Sequence, residues 1–111
     1  MEMEEISIEE FERLDMRVGK VLKAEKVPGS RKLIRLEVDI GEGEPRQLVA
    51  GIADFYEPEE LVGMNIIVLA NLRPKKIMGI ESRGMLLAAD VDGRPVLLTV
   101  AEDVPPGTKV R

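Results

Sequence analysis

Arg73, Lys75, Lys76 and Arg83 crowd four cations into one short segment that lies between two strongly apolar ones. A buried strand does not tolerate that density of charge, and a plain surface loop does not need it. Ammonium and guanidinium groups so close together suit anionic ligands, phosphate above all, where each contact releases counterions and makes binding salt-sensitive. Pro74 restricts the turn, so that the cations are presented rather than mobile. Ser82 offers both a donor and an acceptor to a base edge or a ribose, and Arg83 is suited to pairing with phosphate or stacking on a base. Gly84 is read as allowing close approach of backbone to ligand, and Met85 as soft apolar surface beneath a base. Each residue also has a plainer explanation: Met85 as core, Gly79 and Gly84 as relief of strand curvature, the lysines as solubility. On composition alone, RNA binding and a generic protein-interaction module stand level.

The overall charge of −5 argues against a nucleic-acid partner until its distribution is considered. Residues 1–16 hold seven acids (Glu2, Glu4, Glu5, Glu9, Glu10, Glu12, Asp15) against Arg13, a net of −6. Of the 16 bases and 21 acids in the chain, the remaining 95 residues therefore hold 15 and 14, a net of +1. Within them Lys20, Lys23, Lys26, Arg31, Lys32 and Arg35 form a second basic cluster, while Glu57, Glu59 and Glu60 gather elsewhere. Such asymmetry gives an acidic protein a local cationic face.

Several classes of chemistry are excluded. With neither His nor Cys, the chain has no thiolate nucleophile, no imidazole acid–base group and no ordinary zinc site. No Asp-rich loop of calcium-binding spacing and no phosphate-cradling glycine motif is present, so no cofactor or metal is expected and the composition points away from an enzyme. The absence of cysteine fits a cytoplasmic protein. The opening MEMEE lacks the charge and apolar core of a signal peptide, and apolar runs such as residues 66–70 are far too short to span a membrane.

The elements that must position these cations read as a single small all-β domain of 111 residues with an acidic helical extension over residues 1–16. Ser7 and Glu10 form a capping box, with Ile6 and Phe11 as a hydrophobic staple and Ile8, Phe11 and Leu14 on one face. A β-branched run over 17–27 is interrupted by Gly19, expected as a bulge or bend. Residues 34–40 alternate strictly between apolar and charged, the clearest strand pattern of the chain. Further strands are expected over 46–52, 64–72, 83–89, 95–101 and 108–111, with a short helix over 54–63 and a tight hairpin at Asp92-Gly93. About five main strands with one intervening helix fit an oligonucleotide/oligosaccharide-binding (OB) barrel, five-stranded and partly closed, with a short N-terminal helix and extra C-terminal strands. The aromatic residues Phe11, Phe55 and Tyr56 all lie outside the expected groove strands, which disfavours tracking of an unstructured strand by base stacking. An RNA ligand would then be recognised by shape, phosphates and one or two exposed bases.

Taken in order, Lys32-Leu33 after the Pro28 turn, the stretch QLVAGIA at 47–53, YEPEELVG at 56–63 and residues 71–89 resemble the tRNA-binding domain family. This family includes the C-terminal domain or separate β subunit of methionyl-tRNA synthetases, free-standing structure-specific tRNA-binding proteins and the endothelial monocyte-activating polypeptide domain. The resemblance covers about residues 7–111. The opening helix followed by LDMRVGKV most resembles the archaeal synthetase-associated branch, and also a bacterial relative proposed to act as an export chaperone. It implies a non-catalytic OB barrel, homodimeric through its terminal decorations, that grips the outer corner of tRNA by shape and is auxiliary to an aminoacyl-tRNA synthetase. The matching RNA contacts are Lys32, Lys75, Lys76, Ser82 and Met85, to which the residue reading adds Arg31, Arg73 and Arg83. The implied dimer surface draws on Ile6, Ile8, Phe11, Leu14, Val104 and Val110. One departure stands out: where the family often has His-Pro-Asn-Ala-Asp-Lys-Leu, Gly29 and Arg31 replace the Asn and the Asp. Arg31 in place of an acid is expected to strengthen phosphate attraction and loosen discrimination. The alternative reading is a peptide-binding, export-chaperone-like dimer of the same fold.

Overall fold

The computed structural model describes residues 3–111; Glu2, counted above in the acidic extension, lies outside them. The elements in chain order are α1 (Ile8–Glu12), β1 (Met16–Lys26), β2 (Ile34–Asp39), β3 (Arg46–Ala50), α2 (Pro58–Leu61) and β4 (Asn65–Leu69). They are followed by β5 (Lys75–Ile77), β6 (Ile80–Ser82), β7 (Met85–Leu86), β8 (Ala88–Val91), β9 (Arg94–Leu97) and β10 (Lys109–Val110).

Five strands in the order β3-β2-β1-β4-β7, all antiparallel, wrap into a nearly closed barrel of OB type, and β10 adds to β1. The long strand β1 serves both halves. Its residues 16–20 pair with β4, and 20–26 pair with β2. The register shifts between Val21 and Lys23, which leaves Leu22 as the extra residue. A bulge there bends the strand and allows one strand to line two sides of a small barrel. The bulge is therefore at Leu22 and not at Gly19. Gly19 instead makes room, because a Cβ there would lie 2.5 Å from Val38 Cγ1.

The alternation in 34–40 does what its period requires. Ile34, Leu36 and Val38 point into the barrel and are fully buried, together with Val18, Val21, Leu48, Ile66 and Val68. Such burial stabilises by about 1.5–3 kcal/mol per large side chain before entropy is counted. The helix expected over 54–63 shortens to Pro58–Leu61, and its Leu61 joins the core. The expected strand over 83–89 divides: β7 belongs to the barrel, while β8 pairs with β9 in a separate hairpin turned by Asp92-Gly93. The expected strand 95–101 is correspondingly cut to β9.

Helix α1 has its capping box in place, with Glu10 N–H donating to Ser7 Oγ at 3.1 Å and Ser7 N–H to Glu10 Oε1 at 3.2 Å. None of its residues is buried. What holds it is its C-terminal exit: Asn71 accepts from Asp15 N–H at 2.9 Å and donates to the Arg13 carbonyl at 2.6 Å. Asp15 then receives two hydrogen bonds from Arg17, at 3.0 and 2.9 Å, and lies 3.4 Å from Lys109 Nζ in β10. The hydrogen bond from Arg17, aided by the charges of Arg17 and Lys109 and opposed by burial, holds the Asp15 carboxyl below its ordinary value.

A carboxylate lowered in the folded state contributes stability that is present above its unfolded pKa and lost as pH falls through the folded one. Asp15→Asn is expected to cost on the order of 1 kcal/mol at pH 7. The difference should fade as the pH drops below about 4. Thermal melts of both proteins from pH 7 to pH 2 check this, and a difference undiminished at pH 2 would assign the effect to packing instead. No helix among the described residues is long and apolar enough to cross a membrane.

Candidate nucleic-acid interface

The middle of the cationic segment is not a loop. Residues 75–82 form a hairpin in which Lys75 faces Ser82, Lys76 faces Glu81 and Ile77 faces Ile80. The turn consists of Met78 and Gly79 alone, both at positive φ (50° and 79°), a two-residue turn of the kind that matches strand twist.

Three residues root this hairpin on the barrel. Gln47, in β3, accepts from Arg83 N–H through its backbone carbonyl at 2.9 Å and donates from its side chain to the Glu81 carbonyl at 2.8 Å. Ser82 Oγ accepts from Val49 N–H at 3.0 Å and donates to the Gly84 carbonyl at 3.1 Å. Arg46 donates to the carbonyls of Ala70 at 2.5 Å and Arg83 at 3.1 Å, the two ends of the segment, while Glu42 holds its other nitrogens. Arg46 is thus a positioning residue whose role nothing in the local sequence marks out, because the carbonyls it holds belong to residues 24 and 37 positions away.

Two expected contacts change meaning. Ser82 is 5% exposed and its hydroxyl is already engaged on both sides. In this structure the hydroxyl expected to meet a base or ribose closes the barrel between β3 and the hairpin. Gly84 likewise has a use within the fold. A Cβ on it would lie 3.0 Å from the Leu69 carbonyl oxygen and 3.2 Å from Leu48 Cδ2, so the missing side chain admits the barrel wall.

Beside the hairpin lies the β1–β2 loop, residues 27–33. Val27 N–H donates to the Leu33 carbonyl at 3.1 Å, and Ser30 Oγ accepts from the N–H groups of Lys32 and Leu33, each at 3.2 Å. This small-turn chemistry folds the loop on itself and leaves Arg31 and Lys32 exposed. A methyl added to Gly29 would lie 3.8 Å from Met78 Cε, so the hairpin tip stands next to this loop. On its other flank Ala53 N–H donates to the Lys32 carbonyl at 2.9 Å, and Lys26 pairs with Glu57 at 3.6 Å.

Charge pairing divides the basic residues in a way the sequence does not, and it splits the cluster over 20–35. Lys20, Lys23, Lys26 and Arg35 are each ion-paired, to Asp103, Glu37, Glu57, and Glu25 with Glu37 respectively. The strand face of the barrel is therefore near neutral. Arg31, Lys32, Arg73, Lys75 and Lys76 have no ion-pair partner among the described residues. All five are exposed and belong to the two adjoining segments. Arg83 lies at the hairpin base, 3.8 Å from Glu81, and Met85 is 46% exposed next to it in β7.

The terminal apolar residues gather only in part. Ile8, Phe11, Leu14 and Val110 line one groove of about 420 Å³ between α1 and β10. Ile6 lies instead with Leu14, Leu69 and Leu72 in a groove on the other side of the helix. Val104 lines neither. Among the described residues no group of three or more Asp or Glu is placed to hold a metal ion.

A small OB-type barrel with a neutral strand face and a cationic rim is the class that fold and charge define. Residues 16–109 match the family model described as "Putative tRNA binding domain". The chain is 63% identical over 107 residues to the methionine–tRNA ligase of Archaeoglobus fulgidus, covering 96% of this chain and 16% of that protein. The crystal structure of a MetRS-related protein from Pyrococcus horikoshii superimposes with a TM-score of 0.92 at 47% identity, covering 98% of this chain and all of that one. The chaperone CsaA of Bacillus anthracis follows with 0.87 at 37%, covering 97% of this chain and all of that one. The chain belongs to the tRNA-binding domain family, and is a tRNA-binding module rather than a catalytic domain. It spans about a sixth of the length of the ligases it matches.

Proposed function

We propose that residues 1–111 act as one structure-specific tRNA-binding unit, homodimeric and cytoplasmic, that raises the local concentration of tRNA for methionyl-tRNA synthetase in cis or in trans. The observation that carries this reading is the gathering of five exposed cations, without ion-pair partners among the described residues, on two neighbouring segments of a tRNA-binding-domain barrel. Arg31, Lys32, Arg73, Lys75 and Lys76 hold phosphates, with Arg83 and Met85 at the base of the hairpin. Ser82, Arg46 and Gln47 keep the hairpin in place. Cations fixed on a rigid rim favour an RNA whose phosphates are themselves fixed, which is the physical reason for preferring a folded tRNA to a flexible strand. The exposed apolar groove between α1 and β10 supports a second copy as its cover, through Ile8, Phe11, Leu14 and Val110.

Titration of labelled tRNA across a salt series, with single-stranded RNA of equal length as competitor, tests the reading. Steep loss of affinity with salt, weak competition by the single strand and a lowered salt slope in Arg31→Asp are expected. Absence of binding by the wild type at low salt would sink it. Sedimentation of the same samples reads the dimer. The likeness to the chaperone CsaA favours one second reading, peptide binding at the same surface; unfolded peptides that displace tRNA at low concentration would support it.

A further inference from the structure

The molecule contains two turns of the same construction, and they differ in one informative residue. Asp92-Gly93 has φ values of 52° and 86°, and Met78-Gly79 has 50° and 79°. The first uses Asp, a residue that tolerates the left-handed region through its short polar side chain. The second places a long apolar side chain in that region, where only Asn, Asp, His and Gly are at ease. Met78 gains no burial in return: it is 58% exposed. Asn in its place would relieve the backbone and suit the solvent. The thioether is therefore held at a cost, at the tip of the cationic hairpin, where its Cε lies 3.8 Å from the position a Cβ on Gly29 of the cationic loop would take.

A second apolar side chain flanks the same loop. Phe55 is 46% exposed in a turn made rigid by Phe55 N–H and Tyr56 N–H, both donating to the Ile52 carbonyl at 3.0 Å. That turn is tied to the loop by the Ala53–Lys32 hydrogen bond and by the Lys26–Glu57 pair. The neighbouring Tyr56 packs against the core, with its hydroxyl accepting from Leu97 N–H at 3.2 Å, so Phe55 is the aromatic side chain left to solvent at this place.

We propose that Met78 and Phe55, on the two flanks of the loop carrying Arg31 and Lys32, form an apolar subsite for an unstacked RNA base, with the surrounding unpaired cations on its phosphates. The inference rests on the tRNA reading above. A ring face and a polarisable thioether suit a nucleobase of any sequence, since every base has a π face and neither side chain offers an ordinary hydrogen bond to read an edge. The subsite therefore adds affinity for exposed bases without sequence preference, and distinguishes an RNA with an extruded base from a continuous duplex.

The test uses Met78→Asn, Phe55→Leu and Phe55→Trp in the full chain, with unfractionated tRNA and a blunt RNA duplex as probes. Met78→Asn is expected to raise Tm, because it suits the turn, while weakening tRNA binding about fivefold with the salt slope unchanged. Phe55→Leu should weaken it about five- to tenfold, and Phe55→Trp should retain it with quenching of indole fluorescence by the bound base. None of the three should alter binding to the duplex. A merely structural role cannot raise stability and lower affinity together. If the wild type binds tRNA and Met78→Asn and Phe55→Leu bind equally well, the subsite is overturned while the tRNA reading survives. If these variants lose unfolded peptides but keep tRNA, the subsite is overturned in favour of peptide binding. If the wild type binds no tRNA, both fall.

Discussion

Replacing Lys75 and Lys76 together by glutamate is expected to weaken tRNA binding by about a hundredfold or more at physiological salt and to lower the salt slope by about two units. The reason lies in where these two ammonium groups stand. Both project from a hairpin rooted by Gln47, Ser82 and Arg46, and neither has an intramolecular carboxylate partner among the described residues. Their whole electrostatic effect is thus available to a ligand, and reversal replaces two attractions by two repulsions. The fold should be indifferent, since both side chains are exposed and surface exchanges of this sort stay within about 0.5 kcal/mol. Lys23→Glu supplies the contrast: Lys23 faces Glu37 at 4.0 Å on the neutral strand face, and its reversal should change affinity far less. Equal losses in the two proteins, measured by tRNA titration at several salt concentrations with Tm as control, would mean that general net charge and not the hairpin governs binding.

The same contrast marks how far the sequence is legible. The barrel could be read from period: 34–40 alternates because one face of β2 is core, and the Ser7–Glu10 cap and the Asp92-Gly93 turn carry their own signatures. The cationic segment could be read as a site from residue types. Its hairpin could not, because β5 and β6 are three residues each and the turn residue that would announce them is Met78. Nor could ion pairing be read, since Lys23 and Lys75 look alike until Glu37 is placed beside one of them. Ser82 is ambiguous in the sequence for a related reason. A serine in a basic segment has the same appearance whether its hydroxyl meets solvent or, as here, the Val49 amide. The run over 83–89 reads as one strand because its apolar character is continuous. Leu87 divides it, donating its N–H to Ile67 in the barrel and accepting from Leu98 outside it.

Gly84→Ala is expected to be among the most destabilising single substitutions in the segment, at roughly 2–4 kcal/mol. Two costs combine. The backbone there has φ 131°, in a region that is almost exclusively glycine's, and the new methyl would meet the Leu69 carbonyl oxygen at 3.0 Å, Leu48 Cδ2 at 3.2 Å and Val68 Cγ1 at 3.4 Å. Leu48 and Val68 are core residues without room to yield, and Leu69 is held in β4. The chain must therefore move at Gly84 itself. Its carbonyl is the acceptor for Ser82, whose hydroxyl holds the Val49 amide, so the displacement opens the seam between β3 and the hairpin and shifts Lys75 and Lys76 away from Arg31 and Lys32. Gly43→Ala is the matched control, with φ 89° but no atom within 4 Å of the added carbon, and should cost only the backbone share, about 1–2 kcal/mol. Urea denaturation of the two variants, with amide exchange at Val49, separates the terms. Faster exchange at Val49 together with a larger loss in Gly84→Ala follows if packing at this glycine closes the barrel. Equal losses and an unchanged Val49 amide would show that the hairpin is rooted by Arg46 and Gln47 alone.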